Sequence, residues 1–446
     1  MGRESNCERM NTFQINHWTR CFRIFWLGTA FAFLFAISLN AGVWVYQFPI
    51  DPLYNEEDAI RAVEFDRFTD RIWVGGSHIF WGVPGPTPNY DDVSLDARLW
   101  TFGTNLVPVF TNMLGNGWEA TEVSQAGVGG MGYVTGSGMA PHAMVWAHSN
   151  YTAPIYYAAA DVYSLYPGTI PTVESSVLKL SDHFFTTMEK GATHNIIWSP
   201  SVPAFIARSS IYRSAGILLV PRITRASGGP SGVVWGVGED WRGDVNGNHQ
   251  GDPIEDAATE FRQTSNSWEV AVLPNPWGFG ATPLDIETVQ GEVVRYGACR
   301  NGSGQWIPGF WLGPFGSGIF TPLRRDGDPI VEGGNGYNHF VESMASEGGV
   351  FVGRGSTSQL SGIYAGFFVG KLNLANPELS ETHLLEPWLT SLGVNLFPNT
   401  NYDRITFING IDYSERLDLL CLGFEMNGVP HLVLVNPNFA PVPRSC

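Results

Sequence analysis

The sequence predicts an all-β protein, and two observations lead to that class. Short apolar segments, many of them containing Trp and ending at glycines, recur along the chain, as in Ala97–Gly103. The composition includes 52 Gly, 29 Pro, 28 Phe and 16 Trp, which suits strands joined by turns better than helices. Strands repeated at intervals of about 8–12 residues, with turn signals between them, are typical of sandwiches, barrels and propellers.

Length separates the all-β alternatives. Residues 66–446 form one predicted all-β domain, which is too long for a single β-sandwich of about 100 residues. A β-propeller blade takes about 40–50 residues, so this length favours a propeller of about six to eight blades. In its size and its spacing of short, glycine-rich strands the domain resembles secreted β-propellers, but it carries no blade-specific motif. Tandem β-sandwiches and a β-helix are the alternatives.

The individual elements follow from local patterns of apolar residues and glycines. Two segments are predicted as short helices, Glu56–Phe65 and Ser176–Lys190. The predicted strands are Arg71–Gly76, Ala97–Gly103, Val128–Gly136, His142–His148, Ile155–Val162, Asn195–Trp198, Gly216–Val220, Gly232–Val237, Ser267–Leu273, Glu292–Ala298, Gly309–Leu312, Gly349–Gly353, Ile363–Val369, Arg404–Ile408, Leu417–Phe424 and His431–Val435.

The N-terminal region predicts export. Four arginines come first: Arg3, Arg9, Arg20 and Arg23. A stretch without charge follows from Ile24 to Ile50, and acidic residues come after it. This order places the N-terminus in the cytoplasm and the remainder outside. Residues 1–41 are therefore a signal peptide or, since the stretch exceeds about 20 residues, an N-terminal membrane anchor. Residues 42–65 are a linker with a short helix, and the protein is extracellular or at the cell surface.

Charge and cysteine content limit the partners. The formal net charge is −17 and no basic run occurs, which excludes nucleic acid as a partner. Contact with a membrane is expected only through the N-terminal segment. Cys299, Cys421 and Cys446 lie in the exported part, so at most one intrachain disulfide can form among them. A Cys421–Cys446 bond would tie the C-terminus to a strand.

The segment 244–256 is the most specific chemical signal in the chain. Oxygen-bearing side chains stand at its positions 1, 3, 5, 9 and 12, and position 7 can offer a backbone carbonyl. A calcium ion takes six to eight oxygen ligands at about 2.3–2.6 Å, and a short loop with this spacing can wrap around it. The predicted ligands of a structural Ca²⁺ are Asp244, Asn246, Asn248, Gln250, Asp252 and Glu255.

This loop resembles the calcium loops of thrombospondin type-3 repeats and, less closely, those of dockerins and EF-hands. The resemblance covers about a dozen residues and implies calcium binding without implying a fold. The sequence departs from the pattern at His249, where those families place Gly because the turn asks for a positive φ. The alternative is a solvated loop rich in turn-forming residues. On either interpretation, residues 240–264 are an insertion between two strands.

The other candidate functional residues indicate a chemical role less specifically. His142 and His148 share a face if one strand contains both, which makes them two candidate ligands of a metal ion. The sequence shows no third ligand at a suitable distance. Carboxylates next to predicted strands are candidates for glycoside hydrolysis; they are Asp66, Asp70, Asp161, Asp182 and Glu239. Four Trp beside glycines are either core residues or sugar-stacking rings; they are Trp73, Trp81, Trp306 and Trp311.

The sequence thus predicts an exported, calcium-stabilised β-propeller that acts as a binding or structural protein at or beyond the cell surface. Its expected partners are a glycan or a surface protein. The alternative is a glycan-directed hydrolase with carboxylates in a central cleft, so the sequence leaves enzymatic activity open.

Overall fold

The structure is a computed structural model. It describes residues 42–51, 56–81, 93–132, 141–156, 175–180, 185–189, 195–199, 202–207, 222–226, 233–241, 256–263, 268–278, 280–303, 305–325, 328–329, 344–355, 366–397, 405–437 and 439. The chain divides into two compact units, Met1–Val43 and Trp44–Cys446. The described strands and helices all belong to the second unit.

The first half of this unit contains strand β1 (Trp44–Gln47) and four sheets. Sheet 1 comprises β2 (Ile50–Asp51), β3 (Glu56–Phe65), β4 (Ile72–Trp81), β5 (Val93–Phe102) and β6 (Pro108–Met113). Sheet 2 comprises β7 (Gly117–Ser124), β8 (Gly127–Gly132), β9 (His142–Ala147) and β10 (Asn150–Tyr156). Sheet 3 comprises β11 (Ser175–Leu180), β12 (Phe185–Glu189), β13 (Asn195–Ser199) and β14 (Val202–Ala207). Sheet 4 comprises β15 (Arg222–Ala226), β16 (Val233–Trp241), β17 (Asp256–Gln263) and β18 (Trp268–Val272).

The second half contains three further sheets and a ribbon. Sheet 5 comprises β19 (Ala281–Val289), β20 (Glu292–Arg300), β21 (Trp306–Leu312) and β22 (Ile319–Pro322). The ribbon comprises β23 (Arg324–Arg325) and β24 (Asp328–Pro329). Sheet 6 comprises β25 (Met344–Glu347), β26 (Val350–Gly355), β27 (Gly366–Lys371) and β28 (Glu381–Leu384). Sheet 7 comprises β29 (Ile405–Ser414), β30 (Leu419–Met426) and β31 (Val429–Val435), together with β1. A 3-10 helix (Pro377–Leu379) and an α-helix, α1 (Leu385–Ser391), lie among these strands.

The seven sheets among the described residues are antiparallel, and six of them are simple meanders of consecutive strands. Sheet 7 differs because its outer strand comes from the beginning of the unit. Strand β1 pairs with β31 in the register Trp44↔Leu434 to Gln47↔His431. The two ends of the unit are therefore joined by a backbone ladder.

Consecutive sheets pack on each other, and sheet 7 packs on sheet 1 through β29 and β3. Among the described residues, aliphatic and aromatic side chains fill the boundaries of sheets 7 and 1, 1 and 2, 4 and 5, and 5 and 6. Phe48, Ile60 and Leu432 belong to the cluster between sheets 7 and 1. Phe310 and Phe351 belong to the cluster between sheets 5 and 6. The contacts between sheets thus form a closed series.

Glycines permit the closest of these contacts. A Cβ at Gly410 of β29 would lie 2.8 Å from the backbone nitrogen of Val63 in β3. A Cβ at Gly129 of β8 would lie 2.6 Å from a methyl group of Val177 in β11. Real Cβ atoms do not approach other heavy atoms this closely, so the glycine-rich strands set the spacing of the sheets.

The structure confirms the all-β class but corrects the two predicted helices. Glu56–Phe65 is the strand β3. Its buried positions include Asp58 and Ile60, and a register irregularity between Ile60 and Ala62 then buries Ala62 and Val63 together. That irregularity obscures the two-residue period in the sequence, and pairing with β4 overrides the helix propensity of the Glu and Ala residues. Ser176–Lys190 likewise contains all of β12 and all but the first residue of β11.

The predicted insertion 240–264 is also shorter than expected. Strand β16 continues to Trp241, and β17 occupies Asp256–Gln263. The two strands pair from Trp235↔Arg262 to Trp241↔Asp256. The connecting segment is therefore 242–255, and the backbone at its two ends is held by the ladder. Of the other predicted strands, Gly216–Val220 lies outside the described residues, and each of the rest overlaps an observed strand.

Several buried side chains also bear on the predictions. Trp311 is fully buried and its indole N–H donates to the Pro274 carbonyl at 2.8 Å, so it is a core residue. Cys299 and Cys421 are free and buried, and the Cys421–Cys446 bond considered from the sequence is not formed. Burial raises the pKa of both thiols, which makes them unreactive.

The meanders give the sheets two distinct ends. We call the turn end the one where the first and second strands of a four-stranded sheet are joined, and likewise the third and fourth. In the five-stranded sheet 1, the turn end is where β3 joins β4 and where β5 joins β6. The turns of neighbouring sheets contact each other there: the Arg67 N–H donates to Gln125, and Arg416 pairs with Asp70. The opposite end, the connection end, joins second strands to third strands and each sheet to the next. Within the described part of the chain, no helix has the length and apolar character that crossing a membrane requires.

Candidate functional site

Three ionisable side chains stand in one row across sheet 1, near the connection end. Asp58 of β3 pairs in register with His78 of β4, and His78 pairs in register with Asp96 of β5. Directly opposed residues of antiparallel strands point to the same face of the sheet. The three residues are therefore on one face, and we call them the Asp–His–Asp row.

The contact between Asp58 and His78 is close. The Oδ1 atom of Asp58 lies 2.8 Å from Nδ1 of His78. The side chain of Asp58 is 7% exposed and that of His78 is 19% exposed. A carboxylate on Nδ1 fixes the orientation of an imidazole and aims its Nε2 atom away from the carboxylate. This arrangement can bind a hydrogen-bonding ligand or transfer a proton.

The surroundings of the row change along the sheet. Ile60 and Trp100 continue the same face toward the turn end as an apolar surface, which packs on Phe48. Tyr46 of β1 borders Asp58, and its pKa is raised by burial and by the charge of Asp58. The row is thus the polar margin of the apolar boundary between sheets 7 and 1.

Most other buried acids hold neighbouring sheets together. Asp412 of sheet 7 accepts the backbone N–H of Phe65 in sheet 1. Glu287 of sheet 5 accepts the N–H of Gly349 in sheet 6 at 3.1 Å and the hydroxyl of Tyr296 at 2.6 Å. These contacts satisfy the carboxylates with structural partners, so we assign these acids to packing and not to chemistry.

The most buried of these acids forms an ion pair. Glu260 of sheet 4 and Arg295 of sheet 5 are both completely buried, and Nε of Arg295 lies 2.8 Å from Oε2 of Glu260. Arg295 also donates to the carbonyls of Val293 and Gly313, and Gly316 donates its N–H to Glu260. Every one of these bonds connects backbone or side chains at the boundary of sheets 4 and 5.

His148 occupies a closed environment at the turn end. Its ring stacks on Trp73 with centroids 4.0 Å apart. Nε2 lies 2.7 Å from the Ser124 carbonyl, and Nδ1 lies 2.8 Å from the Tyr151 hydroxyl. Because a carbonyl only accepts, Nε2 carries the proton and Nδ1 accepts from Tyr151. Burial lowers the pKa of His148, while the Ser124 carbonyl and Asp66 oppose that shift.

We expect this histidine to make the fold sensitive to acid. A group whose pKa is lowered on folding stabilises the protein above its unfolded pKa of about 6.5, and that contribution is lost as the pH falls below it. Urea unfolding should therefore show stability decreasing from about pH 7.5 to about pH 5.5. His148→Gln should flatten this profile by up to about 1.4 kcal/mol per pH unit within the titration range. Parallel profiles for the two proteins would contradict the assignment.

The structure separates the two histidines that the sequence suggested as a metal pair. His142 begins β9, whereas His148 follows its end. Six residues of strand span about 20 Å, so residues that share a face can be far apart. His142 is 2% exposed, and within the described part of the chain neither ring nitrogen has a hydrogen-bond partner. Burial lowers its pKa, which favours the neutral ring.

The remaining candidates divide between structural roles and undescribed segments. Asp66 accepts the N–H of Phe68 at 2.9 Å and the hydroxyl of Thr69, so it stabilises a turn. Asp70 pairs with Arg416. Asp161, Asp182 and the six predicted calcium ligands (Asp244, Asn246, Asn248, Gln250, Asp252 and Glu255) lie outside the described residues. Among the residues that the structure does describe, no group of three His, Cys, Asp or Glu is arranged to hold a metal ion.

Sequence reasoning missed the Asp–His–Asp row. Asp58 was assigned to a helix, and the row depends on the register of three strands separated by the turn 66–71 and the segment 82–92. The residues Glu57–Ile60 read polar, polar, apolar, apolar, so no alternation marked the strand. The sequence also could not reveal which residue of β4 lies opposite Asp58.

No protein-family model matches the chain, and no curated protein matches it. Among solved structures it is similar to a protein of unknown function from Dyadobacter fermentans, with a TM-score of 0.40, 9% identity and coverage of 88% of this chain and 99% of that chain. It is also similar to TolB from Acinetobacter baumannii, with a TM-score of 0.35, 7% identity and 82% of each chain covered. A third similar structure is a Trypanosoma rangeli sialidase, with a TM-score of 0.35 and 11% identity; 87% of this chain and 54% of the sialidase are covered.

Proposed function

We propose that the chain is an exported β-propeller of seven blades that binds a glycan at its connection end. One observation carries the propeller assignment. The sheets contact each other in a closed series, and β1 supplies the outer strand of the last sheet. Completion of the last blade by a strand from the other terminus closes such a ring and protects the edges of its sheets.

The location of the site follows from the lengths of the connections. At the turn end, strands are joined by segments as short as 125–126, 290–291 and 348–349. At the connection end, the joining segments include 82–92, 157–174, 208–221 and 242–255. Binding residues concentrate on long loops that a rigid scaffold positions, so the ligand belongs at the connection end.

Side chains at this end suit the hydroxyl groups and ring faces of a sugar. The Asp–His–Asp row offers carboxylate acceptors for hydroxyl groups. Phe407, near the start of β29, is 59% exposed, and Trp306, at the start of β21, is partly exposed. A chain with a formal net charge of −17 and exposed aromatic rings is compatible with neutral glycans and is a poor partner for nucleic acid.

A glycan array tests this function. The purified full chain should bind a set of neutral glycans, and Asp96→Asn should weaken that binding by about tenfold or more, as expected for loss of a charged hydrogen bond. Glu378→Gln is the matched control because Glu378 is an exposed acid at the turn end. Absence of binding to every glycan, or an equal effect of both substitutions, would overturn the proposal.

We further propose that the segment 242–255 binds a structural calcium ion. The ladder between β16 and β17 brings its two ends together, which lowers the entropic cost of forming a loop around an ion. Calcium should raise the melting temperature of the full chain relative to EDTA, by an amount that grows with calcium concentration. Asp244→Ala should abolish the rise. An identical melting temperature in calcium and EDTA would show that His249 does not permit the site.

A second candidate function is glycoside hydrolysis, which the spacing of the row favours. Asp58 and Asp96 are two strands apart, or about 9.5 Å between backbones, and inverting glycosidases hold their carboxyl groups about 6.5–9.5 Å apart. Fluorogenic glycosides distinguish the two functions. A hydrolase would turn them over and lose about 10²–10⁴-fold in rate in Asp58→Asn. A binding protein would retain the glycan without turnover.

A further inference from the structure

Exposed apolar and cationic side chains occur together on sheet 1 at the turn end. Phe68 is 88% exposed, and Val107 and Val109 are 55% and 50% exposed. Phe110 is 40% exposed. Arg67 and Arg71 are also exposed. We call these six residues the Phe68 patch: Arg67, Phe68, Arg71, Val107, Val109 and Phe110.

The patch is built on rigid backbone. Asp66 accepts the Phe68 N–H at 2.9 Å, and the Asp66 N–H donates to the Arg71 carbonyl at 2.8 Å. The guanidinium of Arg71 lies 5.6 Å from the centroid of the Phe110 ring, so it connects the turn to β6. A phenylalanine that is held out into solvent by a fixed turn loses little conformational entropy when it enters another medium.

The charge of the patch is opposite to that of the protein. The chain has a formal net charge of −17, yet the Phe68 patch contains two arginines and no acid. Both carboxylates of the same turn are engaged: Asp70 is paired with Arg416 of sheet 7, and Asp66 accepts the Phe68 N–H and the Thr69 hydroxyl. A cationic, aromatic surface of this kind complements a layer of anionic lipid headgroups.

The path of the chain independently favours a membrane at the turn end. Trp44 lies opposite Leu434, which lies opposite Cys421, which lies opposite Asp412. Asp412 accepts the N–H of Phe65, the last residue of β3. The chain therefore enters the second unit at the turn end of sheets 7 and 1. The stretch immediately before it contains the uncharged segment from Ile24 onward.

We propose that the Phe68 patch is a docking surface for an anionic lipid bilayer, so that the propeller meets the membrane through its turn end and presents its connection end to the ligand. This inference rests on the proposed export and orientation of the chain, with the N-terminal segment retained as an anchor. Aromatic side chains favour the membrane interface, and each arginine near an anionic surface strengthens binding roughly fivefold.

Depth-dependent quenching in nanodiscs tests the surface. The full chain, with Cys7, Cys21 and Cys446 replaced by Ser, is reconstituted with phosphatidylcholine and phosphatidylglycerol, with and without brominated lipid. An environment-sensitive fluorophore is attached at Val107→Cys or, as the matched control, at Ile155→Cys. Ile155 is also an exposed residue, 51% accessible, but it lies toward the connection end of β10. The Val107 label should be quenched at least roughly twofold more than the Ile155 label.

Substitutions in the patch sharpen the test. Combining Phe68→Ser with Arg67→Glu and Arg71→Glu should reduce quenching of the Val107 label to the level of the Ile155 label. Glycan binding by the same variant reports on the proposed function separately, since that site is at the other end of the sheets. Equal quenching of the two labels in the protein that keeps Arg67, Phe68 and Arg71 would overturn the proposal. If the Val107 label is shielded from solvent in cells but not in lipid nanodiscs, the patch is occupied by a protein. That result would also overturn the proposal.

Discussion

Arg295→Met is expected to lower the free energy of unfolding by about 3–5 kcal/mol, the cost of leaving a buried charge without its partner. Glu260 would remain completely buried, with the Gly316 N–H and the charge of Arg262 left to stabilise it. The carbonyls of Val293 and Gly313 would also lose the donors that Arg295 now provides. Equilibrium unfolding in urea at neutral pH measures the loss, and the substitution should shift the midpoint without changing the slope.

The double variant Glu260→Met/Arg295→Met is the informative control. Replacing both members of a buried ion pair with apolar residues is often neutral or stabilising. It should therefore recover most of the stability that the single variant loses, except for the hydrogen bond to Gly316. The exposed pair Arg262–Glu269, at 2.6 Å, provides a second comparison, because surface pairs contribute about 0–1 kcal/mol. A double variant as unstable as Arg295→Met would show that the side chains matter for their shape and not for their charges.

Phe48→Ala should cost about 3–5 kcal/mol, the range for removing a large aromatic ring from a core. Phe48 is completely buried between sheets 7 and 1, and its ring makes edge contacts with Tyr46, Trp100 and Phe102. It directly follows β1, so it fixes the strand that completes the last sheet. Loss of the ring should weaken that closure as well as the local core.

Val45→Ala is the matched control for closure. Val45 lies on the same strand but is 41% exposed, so its truncation should cost below about 1 kcal/mol. Hydrogen exchange of the β31 amides gives a local measurement, because they pair with β1. Phe48→Ala should accelerate that exchange more than exchange in sheet 4. A uniform acceleration across all sheets would indicate loss of global stability without a special role for closure.

The all-β class was predictable because it depends on local composition. Glycine-bounded apolar runs such as Glu292–Ala298 lie within observed strands, since burial on both faces favours continuous apolar stretches. Glu56–Phe65 was predicted incorrectly because it contains charged residues and a register irregularity. The sequence showed no sign of the irregularity, which arises from pairing with β4.

The site was less predictable than the fold because it depends on pairing between distant segments. Asp58 and His78 meet only through the register of two strands, and Glu260 meets Arg295 only through the packing of two sheets. The metal pair of His142 and His148 was suggested by their closeness along the chain. That closeness did not bring the two side chains together, because they lie at opposite ends of β9. The spacing of the segment 244–255 is a local signal, and its calcium site stays a prediction.

The ladder between β1 and β31 has a consequence for how the protein is made. Chain synthesis proceeds from the N-terminus, so Trp44 emerges long before its partner Leu434. Until then β31 is missing, and the side chains around Phe48 have no seventh sheet to cover them. Contacts so distant in sequence make folding slow, because nearly the whole chain must be ordered before they form. Loss of even the last strand, through premature termination or proteolysis, would leave β30 and β1 without their shared partner and with exposed edges that are prone to aggregation.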